Sequence, residues 1–218
     1  MFIINFKTYE EASGENAVVL AKIASEISNE TSVEIVLCPQ TIDLRQVLAV
    51  YPKVWLQHVD SAERGRATGY LPAETAKEAG AEGTLLNHSE HLLKADELQK
   101  ANDAAKTHGL SSLIFAGDIE SLKAALTLKP DYVSYEPPEL VGSTKETVAT
   151  AHPDVIEVAA KLANEANIPL VVGAGIHSME DVKTSINLGA AGIAVATSVV
   201  KAENPKEEIL NLLKGFEK

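Results

Sequence analysis

About eight short, largely apolar runs alternate with longer helical patterns along this chain, and that alternation excludes most folds. The runs are Phe2-Phe6, Val33-Leu37, Val54-His58, Gly83-Asn87, Ser112-Phe115, Tyr132-Tyr135, Pro169-Gly173 and Gly192-Ala196. Several are continuously apolar rather than alternating, which is how strands buried on both faces read, so a parallel sheet covered by helices is expected. Between the runs, Leu20, Ile23, Ala24 and Ile27 recur at helical spacing, as do Ile209, Leu212, Leu213 and Phe216. Each set makes one apolar stripe that needs a sheet to cover it. Ser178 with Asp181 three residues on suits a helix start, Pro205 suits a first helical position, and Gly80, Gly109 and Gly189 stand where helices should stop. No linker, low-complexity stretch or long-period repeat divides the sequence. The expectation is one α/β domain over residues 1–218, a closed barrel of eight β/α units. An open doubly wound sheet is the alternative, and pairing of the first strand with the eighth distinguishes the two.

Composition narrows the function classes. With 45% hydrophobic and 23% charged residues, the chain should fold around a substantial core, and no apolar run approaches the roughly 20 residues that span a bilayer. The start, Met1-Phe2-Ile3-Ile4-Asn5, has neither a basic leader nor a small-residue cleavage site, so it reads as a first strand and the protein as cytoplasmic. One cysteine, Cys38, excludes an internal disulfide and reads as a small core residue. A net charge of -12 argues against nucleic acid as a partner. It leaves room for a small anionic substrate, because one lysine and a few backbone N–H groups can reverse the field inside a pocket.

The polar residues that matter stand at strand ends. The first run ends in Asn5-Phe6-Lys7, the fourth in Asn87-His88-Ser89-Glu90, the sixth in Tyr135-Glu136-Pro137-Pro138, the seventh in Gly173-Ala174-Gly175-Ile176 and the eighth in Ala196-Thr197-Ser198. A closed barrel would bring an amide, an ammonium, an imidazole and a carboxylate to one mouth, with two small-residue turns whose N–H groups could meet an anion. Singly, each has a mundane reading. A strand-end histidine is more often structural, most lysines are solvated, and Gly173-Ala174-Gly175 could merely permit a tight turn. The other histidines, His58, His91, His108, His152 and His177, carry no signal for catalysis.

Taken together, these motifs resemble the triosephosphate isomerase family, in its shorter, archaeal-type branch, over essentially the whole chain. Asn5-Phe6-Lys7 is similar to the family's first-strand motif and Asn87-His88-Ser89-Glu90 to its His-Ser-Glu motif. Tyr135-Glu136-Pro137 followed by Leu140-Val141-Gly142 is similar to its base and mobile lid. The resemblance implies the TIM, or (β/α)8, barrel and the interconversion of dihydroxyacetone phosphate and glyceraldehyde 3-phosphate. It implies Glu136 as general base, and His88 as a neutral electrophile that donates to the carbonyl oxygen, for which this family is itself the standing example. A helical turn beginning at Ser89 would favour that neutral form. Lys7, expected to pair with Glu90, supplies positive charge, with Asn5 as a neutral donor beside it. Gly173, Gly175, Ala196 and Thr197 are implied at the phosphate, with Val141 and Gly142 closing over it and Pro137-Pro138 stiffening one hinge.

No metal or organic cofactor is implied, and no membrane or nucleic-acid partner. The family implies a homodimer built through the third-strand loop, here Asp60 to Tyr70, or a homotetramer. The chain departs from the family pattern at Gly142-Ser143-Thr144, which replaces Gly-Thr-Gly at the lid exit, at Val172-Gly173-Ala174-Gly175, which replaces Tyr-Gly-Gly-Ser, and at Ala196-Thr197, which replaces Gly-Gly. Two alternatives remain at this level: another phosphate-binding barrel, such as a sugar-phosphate aldolase or isomerase, and a non-catalytic barrel scaffold.

Overall fold

Every apolar run becomes a strand of one parallel sheet. In the computed structural model, which describes residues 1–137 and 153–217, the strands are β1 (Phe2–Asn5), β2 (Ile35–Cys38), β3 (Trp55–Leu56), β4 (Gly83–Leu86), β5 (Ser111–Ala116), β6 (Tyr132–Tyr135), β7 (Leu170–Val172) and β8 (Gly192–Val195). Their order is β2-β1-β8-β7-β6-β5-β4-β3. β1 pairs with β8 in parallel, Phe2 against Ile193 and Ile4 against Val195, so the sheet is not an open doubly wound one. The two ends meet through a single bridge between Leu37 and Val54, where the Leu37 N–H donates to the Lys53 carbonyl at 3.0 Å. The result is a TIM barrel.

Alternation along each strand divides the apolar side chains between two cores. Ile3, Val36, Cys38, Trp55, Leu85, Leu113, Phe115, Val171 and Ala194 fill the barrel interior. Phe2, Ile4, Leu37, Leu86, Ile114 and Val133 face outward into the layer under the helices. The interior depends on one glycine: a Cβ on Gly83 would sit 2.5 Å from the Trp55 indole and 2.8 Å from the Ser111 carbonyl. Trp55 can therefore cross toward Tyr132, with ring centroids 5.7 Å apart. One polar group is stranded inside, since Ser134 Oγ is buried with no hydrogen-bond partner.

The described helices are α1 (Glu15–Ser28), α2 (Leu44–Leu48), α3 (Ala73–Glu78), α4 (Ala95–Thr107), α5 (Ile119–Thr127), α6 (Pro153–Glu165), α7 (Met179–Asn187), α8 (Thr197–Val200) and α9 (Pro205–Leu213). Leu20, Ala24 and Ile27 on α1, and Ile209, Leu212 and Leu213 on α9, are buried as their spacing predicts. Ser178 Oγ caps α7 by accepting from the Asp181 N–H, and Pro205 opens α9. Gly80, Gly109 and Gly189 all carry positive φ just past helix ends. None of these helices is long and apolar enough to cross a membrane.

Only β6 keeps its expected span; the other strands shift by one residue at one or both ends, and β2 and β3 shift by two at one end, for identifiable reasons. β2 begins at Ile35 rather than Val33, because the Val33 N–H is taken by Thr31 Oγ1 at 3.1 Å. β3 ends at Leu56 rather than His58, because beyond it the Gln57 side chain replaces the backbone as partner to the neighbouring strand, donating to the Cys38 carbonyl at 3.0 Å.

Candidate active site

The strand ends meet as a barrel requires. Asn5, Lys7, His88, Glu136, Gly175, Ala196 and Thr197 line one cleft at the C-terminal mouth, with His177 and Ser198 at its rim. Gly173 is not part of that lining. It lies against Glu136, where a Cβ would fall 2.6 Å from Oε1, so its missing side chain is the space the carboxylate occupies.

Glu136 follows directly on β6 and is held by its own N–H, which donates to the Ala116 carbonyl at 2.9 Å. The residue is only 8% exposed. Oε2 stands 3.0 Å from His88 Nε2 yet has no hydrogen-bond partner. A separation that short without a bond means the oxygen lies off the line of any proton on Nε2. The two groups face the same space.

His88 is fixed from the other side. Its Nδ1 accepts the Glu90 N–H at 3.1 Å, and Phe115 meets its ring edge-on, centroids 4.8 Å apart. A nitrogen that accepts a backbone N–H cannot carry a proton of its own, so the ring is neutral with its proton on Nε2. The expected helical turn at Ser89 is absent. His91 N–H closes a tight turn onto the His88 carbonyl at 2.8 Å, and α4 starts only at Ala95. One backbone N–H from that turn, that of Glu90, meets Nδ1. Asn87 makes the turn possible, taking φ 60 and bonding both ways, from Leu93 N–H at 3.0 Å and to the Phe115 carbonyl at 3.1 Å.

Lys7 has a backbone that a lysine seldom adopts, φ 47. Its N–H donates to Asn5 Oδ1 at 2.9 Å, and its carbonyl accepts from Gln57 Nε2 at 2.8 Å. These bonds hold the residue in left-handed geometry, which costs about 1–2 kcal/mol for a residue with a Cβ. Nζ pairs with Glu90 Oε1 at 2.7 Å, as the sequence predicts. Glu90 thereby joins the two cleft groups, its side chain on Lys7 and its N–H on His88. Gln57 escaped the sequence reading. The only signal for it is its place one residue beyond β3, where an inward-facing side chain reaches the mouth.

In the seventh loop, Ala174 and Gly175 are both left-handed, φ 67 and 68, and turn the chain sharply away from β7. In the eighth, Thr197 Oγ1 lies 3.1 Å from the Tyr9 hydroxyl. Beside the Lys7 backbone, His58 packs at a tilt against His91, with ring centroids 4.4 Å apart, and meets Asp60 at 3.3 Å. Burial is the main reason His58 holds its proton less tightly than an ordinary histidine. His91 acts in the same direction and Asp60 against it. Val141 and Gly142, like Pro138, Leu140, Ser143, Thr144 and His152, lie outside the described residues. Among the described residues, no group of three or more His, Cys, Asp or Glu could hold a metal ion.

The model of the family described as triosephosphate isomerase matches residues 1–214. The chain belongs to the triosephosphate isomerase family. A triosephosphate isomerase of Methanopyrus kandleri is 43% identical, over 99% of this chain and 97% of its own. That of Methanocaldococcus jannaschii is 39% identical over 98% and 99%. The crystal structure of triosephosphate isomerase from Bartonella henselae superposes with a TM-score of 0.75 over 99% of this chain and 97% of that one, at 17% identity. That likeness concerns the fold, and it extends the triosephosphate isomerase barrel to a distant sequence.

Proposed function

We propose that the chain, as one catalytic barrel, interconverts dihydroxyacetone phosphate and glyceraldehyde 3-phosphate, with Glu136 moving the proton and His88 polarising the carbonyl. Family membership supports the reaction and leaves the aldolase and scaffold alternatives unfavoured. The observation that carries the roles is the facing pair: Glu136 Oε2 without a hydrogen bond, 3.0 Å from a neutral imidazole whose only proton is on Nε2.

A ketose bound between them would lose a C1 proton to Glu136 as its carbonyl π electrons move onto oxygen, giving an enediolate. His88 Nε2–H donates to that oxygen as charge develops, and the Lys7 ammonium stabilises the charge electrostatically. The O1 hydroxyl proton passes to the oxygen on C2, relayed by His88 Nε2, and Glu136 returns its proton to C2 as the carbonyl forms at C1, giving the aldose. No atom or electron leaves the substrate, since C1 is oxidised as C2 is reduced. Asn5 contributes the amide N–H groups of a side chain whose oxygen is already committed to the Lys7 N–H. Gly175, Ala196 and Thr197 take the phosphate, Gly173 makes room for the base, and Val141 and Gly142 close over the bound substrate.

The protein acts in the cytoplasm as a homodimer, or as a homotetramer of such dimers. Three exposed apolar side chains, Ile42 (83%), Leu92 (71%) and Tyr70 (60%), support an interface at this end of the barrel. A recess lined by Lys7, Gln40, Ile42, Gln57, His58 and His91 stands beside the cleft to receive a partner loop. Sedimentation across a range of protein concentrations reads the association directly, and a monomer at every concentration would remove it.

A coupled isomerase assay on the wild type, Glu136→Asp and His88→Gln tests the function. Turnover by the wild type and losses of roughly 10²–10⁴-fold in kcat for each variant are expected. No turnover by the wild type sinks the reaction, and variants equal to the wild type sink the roles.

A further inference from the structure

The phosphate end of the cleft has a charge problem. The chain carries a net charge of -12, and a triose phosphate brings a dianion. Among the described residues, Lys7 is the only lysine or arginine lining the cleft, and its ammonium already lies 2.7 Å from Glu90. A second cation is Lys201, one residue beyond α8. Its ammonium sits 4.6 Å from the centroid of the Tyr9 ring, in cation–π contact, and the hydroxyl of that ring reaches Thr197 Oγ1 at 3.1 Å. Tyr9 and Lys201 do not line the cleft, whereas Thr197 does. The three therefore form a line running from a surface cation, through an aromatic ring, to a hydroxyl inside the site.

We propose that Tyr9 is a positioning residue for the phosphate end of the site: its hydroxyl donates to Thr197 Oγ1 and so commits the threonine's proton to a phosphate oxygen, with Lys201 as the cation behind it. This rests on the reading of the cleft as a triose phosphate site. Each hydroxyl has one proton to give. With Tyr9 as donor, the threonine oxygen is satisfied as acceptor and its proton is directed inward. With Phe at position 9, the Thr197 hydroxyl is free to rotate, and the ordered donor is lost. A cation over a phenol ring draws electron density from it and strengthens the O–H as a donor, and hydrogen bonds in series reinforce one another. Tyr9 is also anchored from behind, since its carbonyl accepts from Ser13 Oγ at 2.7 Å and from the Ala12 N–H at 3.1 Å. The ring brings the first and eighth βα loops together over the phosphate end.

The test is direct titration of the whole protein with inorganic phosphate by calorimetry, together with steady-state kinetics, for the wild type, Tyr9→Phe, Lys201→Met, Thr197→Val and Tyr9→Phe/Thr197→Val. Tyr9→Phe should weaken phosphate about fivefold and raise KM for triose phosphate similarly, the size of one lost hydrogen bond, while turnover of phosphate-free glyceraldehyde stays at the wild-type rate. Lys201→Met, which leaves the ring in place, should shift phosphate affinity in the same direction. In the Thr197→Val background, Tyr9→Phe should cost nothing more. Wild-type phosphate affinity in both Tyr9→Phe and Lys201→Met would overturn the proposal, as would a full fivefold loss from Tyr9→Phe without Thr197. A loss shared equally by glyceraldehyde would assign Tyr9 to general structure and overturn it too. A wild type that binds phosphate through Tyr9 and Thr197 yet never isomerises triose phosphate would count against the reaction and not against the relay.

Discussion

Gly173 and Glu136 compete for one volume: a Cβ on the glycine would lie 2.6 Å from the carboxylate Oε1. The blocked atom is the end of a side chain, which can swing away at little cost to the fold. Gly173→Ala should therefore melt close to the wild type but lose on the order of 10²-fold in kcat, the usual result of displacing a reacting group by about 1 Å. Kinetics beside a thermal melt separate the two effects. Unchanged kcat would show that the carboxylate tolerates another position.

Glu90 ties Lys7 by its side chain and His88 by its backbone. Glu90→Gln removes only the first tie, from an acid that is 54% exposed. A fall in kcat/KM of about fivefold is expected, in keeping with the modest worth of a solvated ion pair, and shrinking as salt is added. A salt-independent loss would point to the turn instead of the charge.

His58 gives the fold a pH dependence of known sign. Its folded-state pKa lies below the ordinary 6.5, chiefly through burial, so the unfolded chain takes up the proton first as pH falls. Its contribution is fully present above about pH 7 and is lost as pH drops through 6.5 toward the lower folded value. Urea unfolding of the wild type and His58→Asn between about pH 5.5 and 8 measures the difference, and the variant should show the shallower slope. Parallel slopes would contradict it.

Ser134 Oγ is buried in the barrel interior without a partner. A polar atom in that position has lost water and gained no bond, so Ser134→Ala should leave stability unchanged or raise it by up to about 1 kcal/mol. Urea denaturation measures it. A loss above about 1 kcal/mol would mean that the hydroxyl is bonded in solution.

Much of the fold is legible in the sequence because the strands of a covered parallel sheet are continuous apolar runs, and such runs stand out. Ser178, Pro205 and the helix-ending glycines are equally plain, since each answers a backbone requirement within its own neighbourhood. Strand limits are less so: β3 stops where a distant carbonyl, that of Cys38, takes a side chain in place of a backbone. The same locality governs the cleft. Asn5, Lys7, His88 and Glu136 stand at strand ends and could be found by reading those ends in order. Gln57 and Tyr9 could not, because their importance lies in contacts 50 and 188 residues away in the chain. Gly173 reads as a phosphate turn in the sequence, and in the structure it lies against Glu136, outside the cleft lining. The helical turn that the sequence suggests after His88 gives way to a tight turn whose Glu90 N–H meets Nδ1.

The sheet is an eight-strand ribbon clasped at one place, Leu37 with Val54, and Gln57 adds a second clasp nearer the mouth. The amide that donates to Cys38 also donates to the carbonyl of Lys7. Any breathing of the barrel along that seam therefore loosens the grip on Lys7 as well, so slow hydrogen exchange at this seam and retention of the lysine's left-handed backbone should rise and fall together. Selection for a durable barrel and selection for a well-placed ammonium act there on one and the same glutamine.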